Sequence, residues 1–187
     1  MDEIPWKPSK EQLQSAYGST VPDIIAPQLK VLFVGINPGL YSGAVHHHFA
    51  KPGNRFWITL HRSGFTDRLL SPFEEKELLK RNIGITNIVQ KATASASELS
   101  SDELIDGAKK LVRKVSAYKP EFVAFVGIGA YRIAFGRVKA KIGFQEEKIS
   151  GCKIWVLPNP SGINANYQID DLAKIFREFY NQAMKAN

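Results

Sequence analysis

The feature that most constrains this chain is the segment at residues 31–40, which reads VLFVGINPGL. A run of apolar residues stops at a glycine and is followed by a turn containing Asn37, Pro38 and Gly39. A short apolar run bounded by glycine and proline favours a parallel strand covered on both faces over a helix. We therefore predict a central strand whose turn presents one polar side chain, Asn37, to a cleft. In open α/β sheets, ligands bind beyond the carboxyl ends of the strands.

Two further apolar segments, at residues 122–126 and 154–157, predict additional buried strands. Residues 83–89 read IGITNIV and predict a strand or a strand-end loop with Asn87 exposed at its tip. Helices are expected between the strands, because the intervening segments carry apolar residues at helical spacing. This alternation predicts an α/β fold with a parallel sheet covered on both faces.

Several cap signals mark where those helices begin. A capping box at Ser100 and Glu103 precedes an amphipathic segment, and the stretch at residues 41–53 predicts no regular element. A short helix is also expected near residues 131–135. Other helix starts are indicated by Ser9 with Gln12, by Asn54, by Pro72 at a first helical position, and by Asp170 or Asp171.

Polar turns follow three of the predicted strands, at Asn37, at Asn87 and at residues 159–166. Turn residues such as asparagine, glycine and proline are ordinary loop chemistry, so each turn alone is weak evidence of function. In a parallel sheet, however, all three turns would meet along one edge. We therefore expect any ligand site at that edge.

Length and composition indicate one globular domain. The chain has 187 residues, of which 44% are hydrophobic and 23% charged, which argues against disorder. We expect a proline-rich arm at residues 1–28, with Trp6 and Tyr17 packing on the body, and a single domain at residues 29–187. The sequence has no apolar run that would span a bilayer and no signal-peptide core, so we expect no membrane contact and an intracellular location. A monomer is the default expectation.

Charge and cysteine content limit the kinds of partner and metal site that the chain can have. The net charge of +7 favours a polyanionic partner, although charge alone does not decide it. The single cysteine, Cys152, excludes an intrachain disulfide and any all-cysteine metal site. One helix face is basic and is expected to be solvated rather than a binding stripe; it carries Lys109, Lys110, Arg113 and Lys114.

Three familiar site patterns are poorly supported. The glycines at Gly127 and Gly129 do not continue as a dinucleotide motif, because Arg132 stands where the third glycine would be. The histidine run at residues 46–48 is expected to serve a loop role, since no second ligand cluster accompanies it. Ser161 lies in PNPSG with no histidine after it, which excludes a serine hydrolase.

Phe49 is either a core residue or a stacking platform for a base.

Five ordered blocks carry a resemblance to a known family: GINPGL, HHHFAKPGNRFW, SGFTDR, GITNIV and LPNPSG. Together they resemble the mismatch-specific uracil/thymine DNA glycosylases, a branch of the uracil-DNA glycosylase superfamily. The resemblance extends from about residue 22 to the C-terminal helix. It implies a three-layer α/β/α sandwich around a short, mainly parallel central sheet. It also implies hydrolytic excision of a flipped base from double-stranded DNA with G·U or G·T mismatches, without a cofactor or metal.

The resemblance assigns roles around the first turn. Asn37 would hold the attacking water, and the backbone N–H groups of residues 36–40 would stabilise the departing base. Phe49 would stack on the flipped base and Asn87 would read its edge, because an amide offers both a donor and an acceptor. The implied base-binding set is Ile36, Gly39, Ser42, Phe49 and Asn87.

A second set of residues would contact the duplex. The loop at residues 161–165 would enter the DNA, with Ile163 as the wedge that fills the vacated space. The implied wedge and orphan-base contacts are Asn159, Ser161, Gly162, Ile163 and Asn164. Some relatives have an arginine near the position of Ala165, so phosphate contacts are expected instead from Lys51, Arg55 and Lys91.

Differences from the strictly uracil-specific relatives indicate a slow reaction and a site that accepts more than one base. At the position of Asn37 those relatives have an acidic residue that holds the water. They have a tyrosine that blocks a 5-methyl group at the position of Gly39, and a histidine at the position of Asn159. We therefore expect excision of uracil opposite guanine, with thymine or ethenocytosine as further substrates. Two alternatives stay open: a glycosylase for hypoxanthine or xanthine, and a non-catalytic mismatch-binding module. The expected location is the nucleoid of a bacterium or the nucleus of a eukaryote.

Overall fold

The computed structural model describes residues 7–185, so Trp6 and the start of the predicted arm lie outside the described residues. A five-stranded sheet forms the centre. In chain order its strands are β1 (Val31–Gly35), β2 (Ile83–Asn87), β3 (Phe122–Val126), β4 (Gly143–Ile149) and β5 (Cys152–Leu157). They are arranged in the order β2-β1-β3-β5-β4, with β4 antiparallel to β5 and every other pair parallel.

Helices cover both faces of this sheet. They are α1 (Lys10–Ser15), α2 (Leu40–Val45), α3 (Phe56–Ser63), α4 (Ser101–Tyr118), α5 (Ile128–Ala134) and α6 (Ile169–Tyr180). Two 3-10 helices occupy Pro72–Arg81 and Ala96–Glu98, and a π-helical turn occupies Asn181–Lys185. The three-layer α/β/α sandwich with a mainly parallel sheet is therefore confirmed. Among residues 7–185, none of the helices combines the length and apolar character required to cross a membrane.

The central strand β1 is buried on both faces, as predicted from its sequence. All five of its residues are buried. Because successive side chains of a strand alternate between faces, Phe33 packs with α3 and α6, whereas Leu32 packs with α4 and α5. On the first face the ring of Phe33 meets that of Phe56 edge-on, with centroids 5.5 Å apart. Two separate apolar cores thus hold β1 and fix the position of the turn that follows it.

One strand was missed by sequence reasoning, and one expectation about a strand end was wrong. The edge strand β4 was not predicted, because its sequence GFQEEKI is polar and lacks an apolar run. Such a sequence suits an antiparallel edge strand, of which one face meets water. The second error concerns Asn87, which is only 4% exposed rather than exposed at the tip of β2.

The helix starts were predicted more accurately. Capping boxes at Ser9, Ser71 and Ser100 are present, and the segment after Pro72 forms a 3-10 helix. Helix α3 begins after the predicted cap, yet Asn54 Oδ1 still accepts a hydrogen bond from Phe56 N at 2.9 Å. The last helix is capped by Gln168 instead, with the predicted aspartates in its first turn.

The segments that precede and follow β1 also differ from expectation. The stretch at residues 41–53 was predicted to be irregular, but α2 occupies its first part. Tyr17 was expected to pack on the body and is instead 54% exposed. Closer to β1, Ile24 forms an antiparallel bridge with Ile85, so this part of the N-terminal segment lies against β2.

Candidate active site

The segments that leave β1 and β2 run side by side at the carboxyl edge of the sheet. Ile88 N donates to Gly35 O, and Val89 N donates to Ile36 O, each at 2.9 Å. Further along, Thr93 N donates to Pro38 O at 3.1 Å. These bonds hold the turn after β1 against the segment after β2. The structure therefore brings Asn37 and Asn87 to the same part of the edge.

The side chain of Asn37 has a defined orientation. Its Nδ2 donates to Lys91 O at 2.9 Å and to Thr93 Oγ1 at 2.8 Å. Because a carbonyl oxygen can only accept, the nitrogen of the amide must face Lys91, and the Oδ1 atom takes the other position. Within residues 7–185, no donor pairs with Asn37 Oδ1. The half-buried amide thus keeps a free acceptor.

Thr93 was missed by sequence reasoning, although it holds Asn37 in place. Its hydroxyl accepts from Asn37 Nδ2 and donates to Ser95 O at 2.8 Å. The side chain is 1% exposed. A threonine in the loop after a strand carries no distinctive signal in one sequence, since its role depends on a partner more than fifty positions away.

Asn87 lies beside Gly35 and Phe49 at the base of the site. A Cβ atom added at Gly35 would lie 2.5 Å from Asn87 Oδ1 and 3.2 Å from Phe49 Cζ. Real side chains do not approach so closely, so only glycine leaves room for both neighbours. The glycine that ends β1 therefore serves packing at the site rather than backbone conformation.

Phe49 has a backbone conformation that side chains other than glycine rarely adopt. Its φ is +53°, in the left-handed region. Its ring stacks on that of Phe56, with centroids 4.0 Å apart and an angle of 20° between the planes. One face of the ring is thus covered by the core, and the side chain stays half-buried. A strained aromatic residue at a cleft is a common mark of function.

His48 forms contacts on both sides of its imidazole. Nε2 lies 3.0 Å from Pro22 O, and Nδ1 lies 3.4 Å from Asn87 Nδ2. Burial lowers the pKa of His48 below its usual value, and the negative charge of Glu75 acts in the opposite direction. His46 and His47 face other partners, Thr20 O and Glu75. Among residues 7–185, no group of three or more His, Cys, Asp or Glu side chains is arranged to hold a metal ion.

The other predicted base-binding residues differ in their surroundings. Ser42 is buried, and its Oγ accepts from Ala50 N at 3.1 Å, which ties α2 to the loop that carries Phe49. Ile36 is half-buried against Gly127. Gly39 is exposed, and a Cβ there would meet no atom within 4 Å. Gly39 thus leaves open space at the mouth of the site.

The loop after β5 presents one apolar side chain to solvent. Ile163 is 86% exposed. The loop itself is ordered by its asparagines: Asn159 Oδ1 accepts from Ser161 N, and Asn164 Nδ2 donates to Asn159 O, each at 2.9 Å. Gly162 packs closely on the neighbouring loop, because a Cβ there would lie 2.6 Å from Gly53 O. We refer to residues 159–166 as the wedge loop.

Arg55 organises the wedge loop, a role that the sequence did not reveal. Its guanidinium donates to four backbone carbonyl groups of this region. The distances are 3.3 Å to Pro160 O, 2.5 Å to Tyr167 O, 2.5 Å to Ser161 O and 2.9 Å to Asn164 O. These contacts engage four of its five N–H groups. Its predicted phosphate contact therefore competes with an internal role.

The remaining predicted phosphate contacts also differ. Lys91 forms an ion pair with Glu103 at 2.5 Å, and this neighbour raises the pKa of Lys91. Lys51 is exposed, and no acidic side chain within residues 7–185 pairs with it. Of the three cations, Lys51 is the one that the structure leaves available to an external anion.

Two comparisons with known proteins bear on this site. The model of the uracil DNA glycosylase superfamily matches residues 22–184. A candidate uracil DNA glycosylase from Methanosarcina acetivorans, solved by solution NMR, has a similar structure, with a TM-score of 0.57 and 18% sequence identity. The alignment covers 86% of this chain and 97% of that chain. At this identity the structural likeness supports the fold, whereas the family match covers most of the sequence.

Proposed function

The chain belongs to the uracil DNA glycosylase superfamily and is a DNA glycosylase, and from this premise we propose that it excises uracil paired with guanine. We assign it to the mismatch-specific branch on the five sequence blocks described above. The reaction is hydrolytic and leaves the DNA strand intact, with an abasic site. Its product is therefore a substrate for base excision repair.

The observation that carries this proposal is the fixed orientation of the Asn37 amide. Both N–H groups of Nδ2 face acceptors within the protein, so Oδ1 is the atom available to a water molecule. An amide oxygen orients water but is too weak a base to remove a full proton. Such a group suits a reaction in which the bond to the leaving base is largely broken before water adds.

The proposed reaction steps follow from the weak basicity of the Asn37 amide oxygen. The N-glycosidic bond breaks with its electron pair moving to the base, which leaves an oxocarbenium-like sugar. The water held by Asn37 then adds to C1′ and releases its proton to solvent. The backbone N–H groups of Asn37 and Gly39 donate to no acceptor within residues 7–185. Free donors of this kind support the proposal that they stabilise the negative charge on the departing base.

The wedge loop supports action on a duplex. A base must leave the stack before its glycosidic bond can be reached, and an apolar side chain can fill the resulting gap. Ile163 is suited to this role, since it is exposed on a loop whose backbone is held by Arg55. The backbone of Gly162 and Asn164 would face the orphaned guanine, and we propose that this contact favours mispairs with guanine. We further propose that the protein acts as a monomer.

Two observations indicate which bases the site can accept. Gly39 leaves open space where a larger residue would meet a 5-methyl group, which supports thymine and ethenocytosine as further substrates. The acceptor Asn87 Oδ1 also fits the N1–H of hypoxanthine or xanthine. A glycosylase for deaminated purines is therefore the second candidate function.

A panel of duplex oligonucleotides distinguishes these candidates. Uracil, thymine and ethenocytosine are each placed opposite guanine, hypoxanthine opposite thymine, and xanthine opposite cytosine. Single-turnover formation of alkali-labile sites is measured for each duplex. We expect G·U to be the fastest substrate. Faster release of hypoxanthine would favour the second candidate. Activity on none of the five, with mismatch binding intact, would identify a binding module instead.

A further inference from the structure

Asn37 and Asn87 end neighbouring strands, but different kinds of partner hold their amide groups. Asn37 Nδ2 faces a main-chain carbonyl, which is an acceptor at every pH. Asn87 Nδ2 instead faces His48 Nδ1 at 3.4 Å. An imidazole nitrogen accepts a hydrogen bond only when it carries no proton. The orientation of the Asn87 amide therefore depends on the state of His48.

The contact with Pro22 determines which tautomer His48 adopts. Pro22 O lies 3.0 Å from Nε2 and can only accept, so Nε2 carries a proton. In the neutral ring Nδ1 is then unprotonated, and it accepts from Asn87 Nδ2. The backbone around the ring is also fixed, because His48 N donates to Glu75 Oε2 at 2.8 Å and Trp57 Nε1 donates to His48 O at 3.2 Å.

This orientation leaves Asn87 Oδ1 as the atom that faces the site. The oxygen lies on the side of Gly35 and Phe49, and no donor within residues 7–185 pairs with it. In the same part of the chain, the fully enclosed side-chain polar atoms without a partner are Thr59 Oγ1, Thr66 Oγ1 and Trp155 Nε1. Asn87 Oδ1 is not among them, so it keeps some contact with solvent although the residue is 4% exposed.

We propose that His48 is a positioning residue that fixes the Asn87 amide, so that its oxygen selects bases carrying an N–H at the edge they present. This inference rests on the proposed function. Uracil and thymine carry that proton on N3, and hypoxanthine and xanthine carry it on N1, whereas N3 of cytosine and N1 of adenine are bare acceptors. N3 of ethenocytosine is bonded to carbon and carries no hydrogen, so we expect ethenocytosine to be released more slowly than uracil. Deamination of cytosine or adenine replaces an exocyclic amino group by oxygen and leaves the adjacent ring nitrogen protonated. Pro22, His48 and Asn87 thus distinguish uracil and hypoxanthine from the cytosine and adenine from which they form. Guanine already carries an N1–H, so this contact does not distinguish xanthine from guanine.

Protonation of His48 would reverse this selection. Nδ1 would become a donor facing another donor, and the Asn87 amide would turn over to present Nδ2 to the base. The charged groups around His48 are Glu75 and Asp23, which favour the imidazolium, and His47, which disfavours it. Lys114 pairs with Asp23 and so reduces the influence of that carboxylate. Burial is the largest effect and keeps the ring neutral near pH 7.

Two variants of His48 separate positioning from packing. His48→Phe keeps a ring of similar size but removes both hydrogen bonds, so the Asn87 amide can turn freely. His48→Gln keeps an acceptor for Asn87 and a donor for Pro22 without titrating, because the oxygen and nitrogen of its amide are spaced like the two ring nitrogens. His46→Asn is the matched control, since His46 is exposed and has a φ of +57°, which asparagine tolerates.

The experiment measures single-turnover release of uracil and of cytosine from otherwise identical duplexes, from neutral pH to below pH 6.5, the ordinary imidazole value. For His48→Phe we expect the ratio of the uracil rate to the cytosine rate to fall about 10- to 100-fold, as expected when a buried polar contact is mismatched. We expect His48→Gln to keep the ratio and to lose the decline in uracil release that the wild type shows at acid pH. His46→Asn should match the wild type in both respects.

An unchanged ratio and pH profile in His48→Phe would overturn the proposal. The tautomer is tested independently of activity by ¹⁵N NMR of the imidazole in the free protein, where we expect a proton on Nε2 and none on Nδ1. A proton on Nδ1 at neutral pH would also overturn it. Wild-type protein that releases no base at all would instead refute the proposed function, and the NMR result would still decide whether His48 orients Asn87.

Discussion

The base pocket and the wedge loop lie at the same edge of the sheet but are held in different ways. In the base pocket, which contains Asn37, Phe49 and Asn87, the amide side chains are oriented by a few polar atoms. Lys91 O and Thr93 Oγ1, for example, orient the half-buried Asn37. In the wedge loop, main-chain carbonyl groups are held by the guanidinium of Arg55, in addition to the loop's own asparagine contacts. The difference indicates that catalysis and entry into the duplex depend on separate contacts. Variants should therefore affect one without the other.

Apart from substitution of Asn37 itself, the largest effect is expected from Gly35→Ala, which disrupts the pocket. The new Cβ would lie 2.5 Å from Asn87 Oδ1 and would displace Asn87 or Phe49. We expect a loss of about 1–3 kcal/mol of stability from overpacking, and a fall of about 100-fold in uracil release, on single-stranded and duplex DNA alike. Urea unfolding and single-turnover kinetics measure the two effects.

Gly39→Ala is the matched control for stability. Its Cβ would meet no atom within 4 Å, so we expect a change in unfolding free energy of less than about 0.5 kcal/mol. If Gly35→Ala were equally benign in stability and activity, the close packing of Gly35, Asn87 and Phe49 would not matter for the pocket.

The next largest effect is expected from Arg55→Met, which disrupts the wedge loop. Four carbonyl groups lose their shared donor, so the loop should sample other conformations. We expect uracil release from duplex DNA to fall about 10- to 100-fold, as for other misplaced positioning groups. Release from single-stranded DNA should change little, because no wedge is needed there. The comparison uses oligonucleotides of the same sequence.

Lys51→Met provides the contrast to Arg55→Met. Lys51 is exposed, and we expect its loss to weaken binding to both forms of DNA and to reduce the dependence of binding on salt. Equal loss of activity on duplex and single-stranded DNA in Arg55→Met, as in Lys51→Met, would favour a direct phosphate contact for Arg55 instead.

A smaller effect is expected from Thr93→Val, which tests how the orientation of Asn37 is maintained. The variant keeps the shape of the side chain but removes one of the two strong acceptors of Asn37 Nδ2. We expect the single-turnover rate to fall about 5-fold, since a buried hydrogen bond contributes about 1 kcal/mol. The effect should be independent of pH and equal on both forms of DNA. A duplex-specific effect would contradict this assignment.

The smallest effect concerns stability in acid. Because burial lowers the pKa of His48, the unfolded chain binds a proton at pH values where the folded protein does not. Stability should be complete above pH 6.5 and should decline as the pH falls through the lower folded pKa. His48→Gln should lose this part of the decline. The difference between the two urea-unfolding profiles measures it, and identical profiles would contradict the expectation.

Sequence reasoning predicted β1, its two-sided burial and the convergence of the polar turns, because each depends on local apolar pattern and on the geometry of parallel sheets. It failed for β4, whose polar sequence resembles a loop. It also could not find Thr93 or the internal role of Arg55. Both depend on partners that are distant in sequence and that only the folded chain brings together.

The catalytic role of Asn37 is tested by single-turnover release of uracil from a G·U duplex by wild-type protein and by Asn37→Ala, with DNA binding measured in parallel. We predict that the wild type releases free uracil and leaves a strand that breaks only after alkali. We predict that Asn37→Ala binds DNA equally well but releases uracil more slowly by a factor of at least about 100. Equal rates for the two proteins would contradict the role of Asn37 on which the proposed mechanism depends.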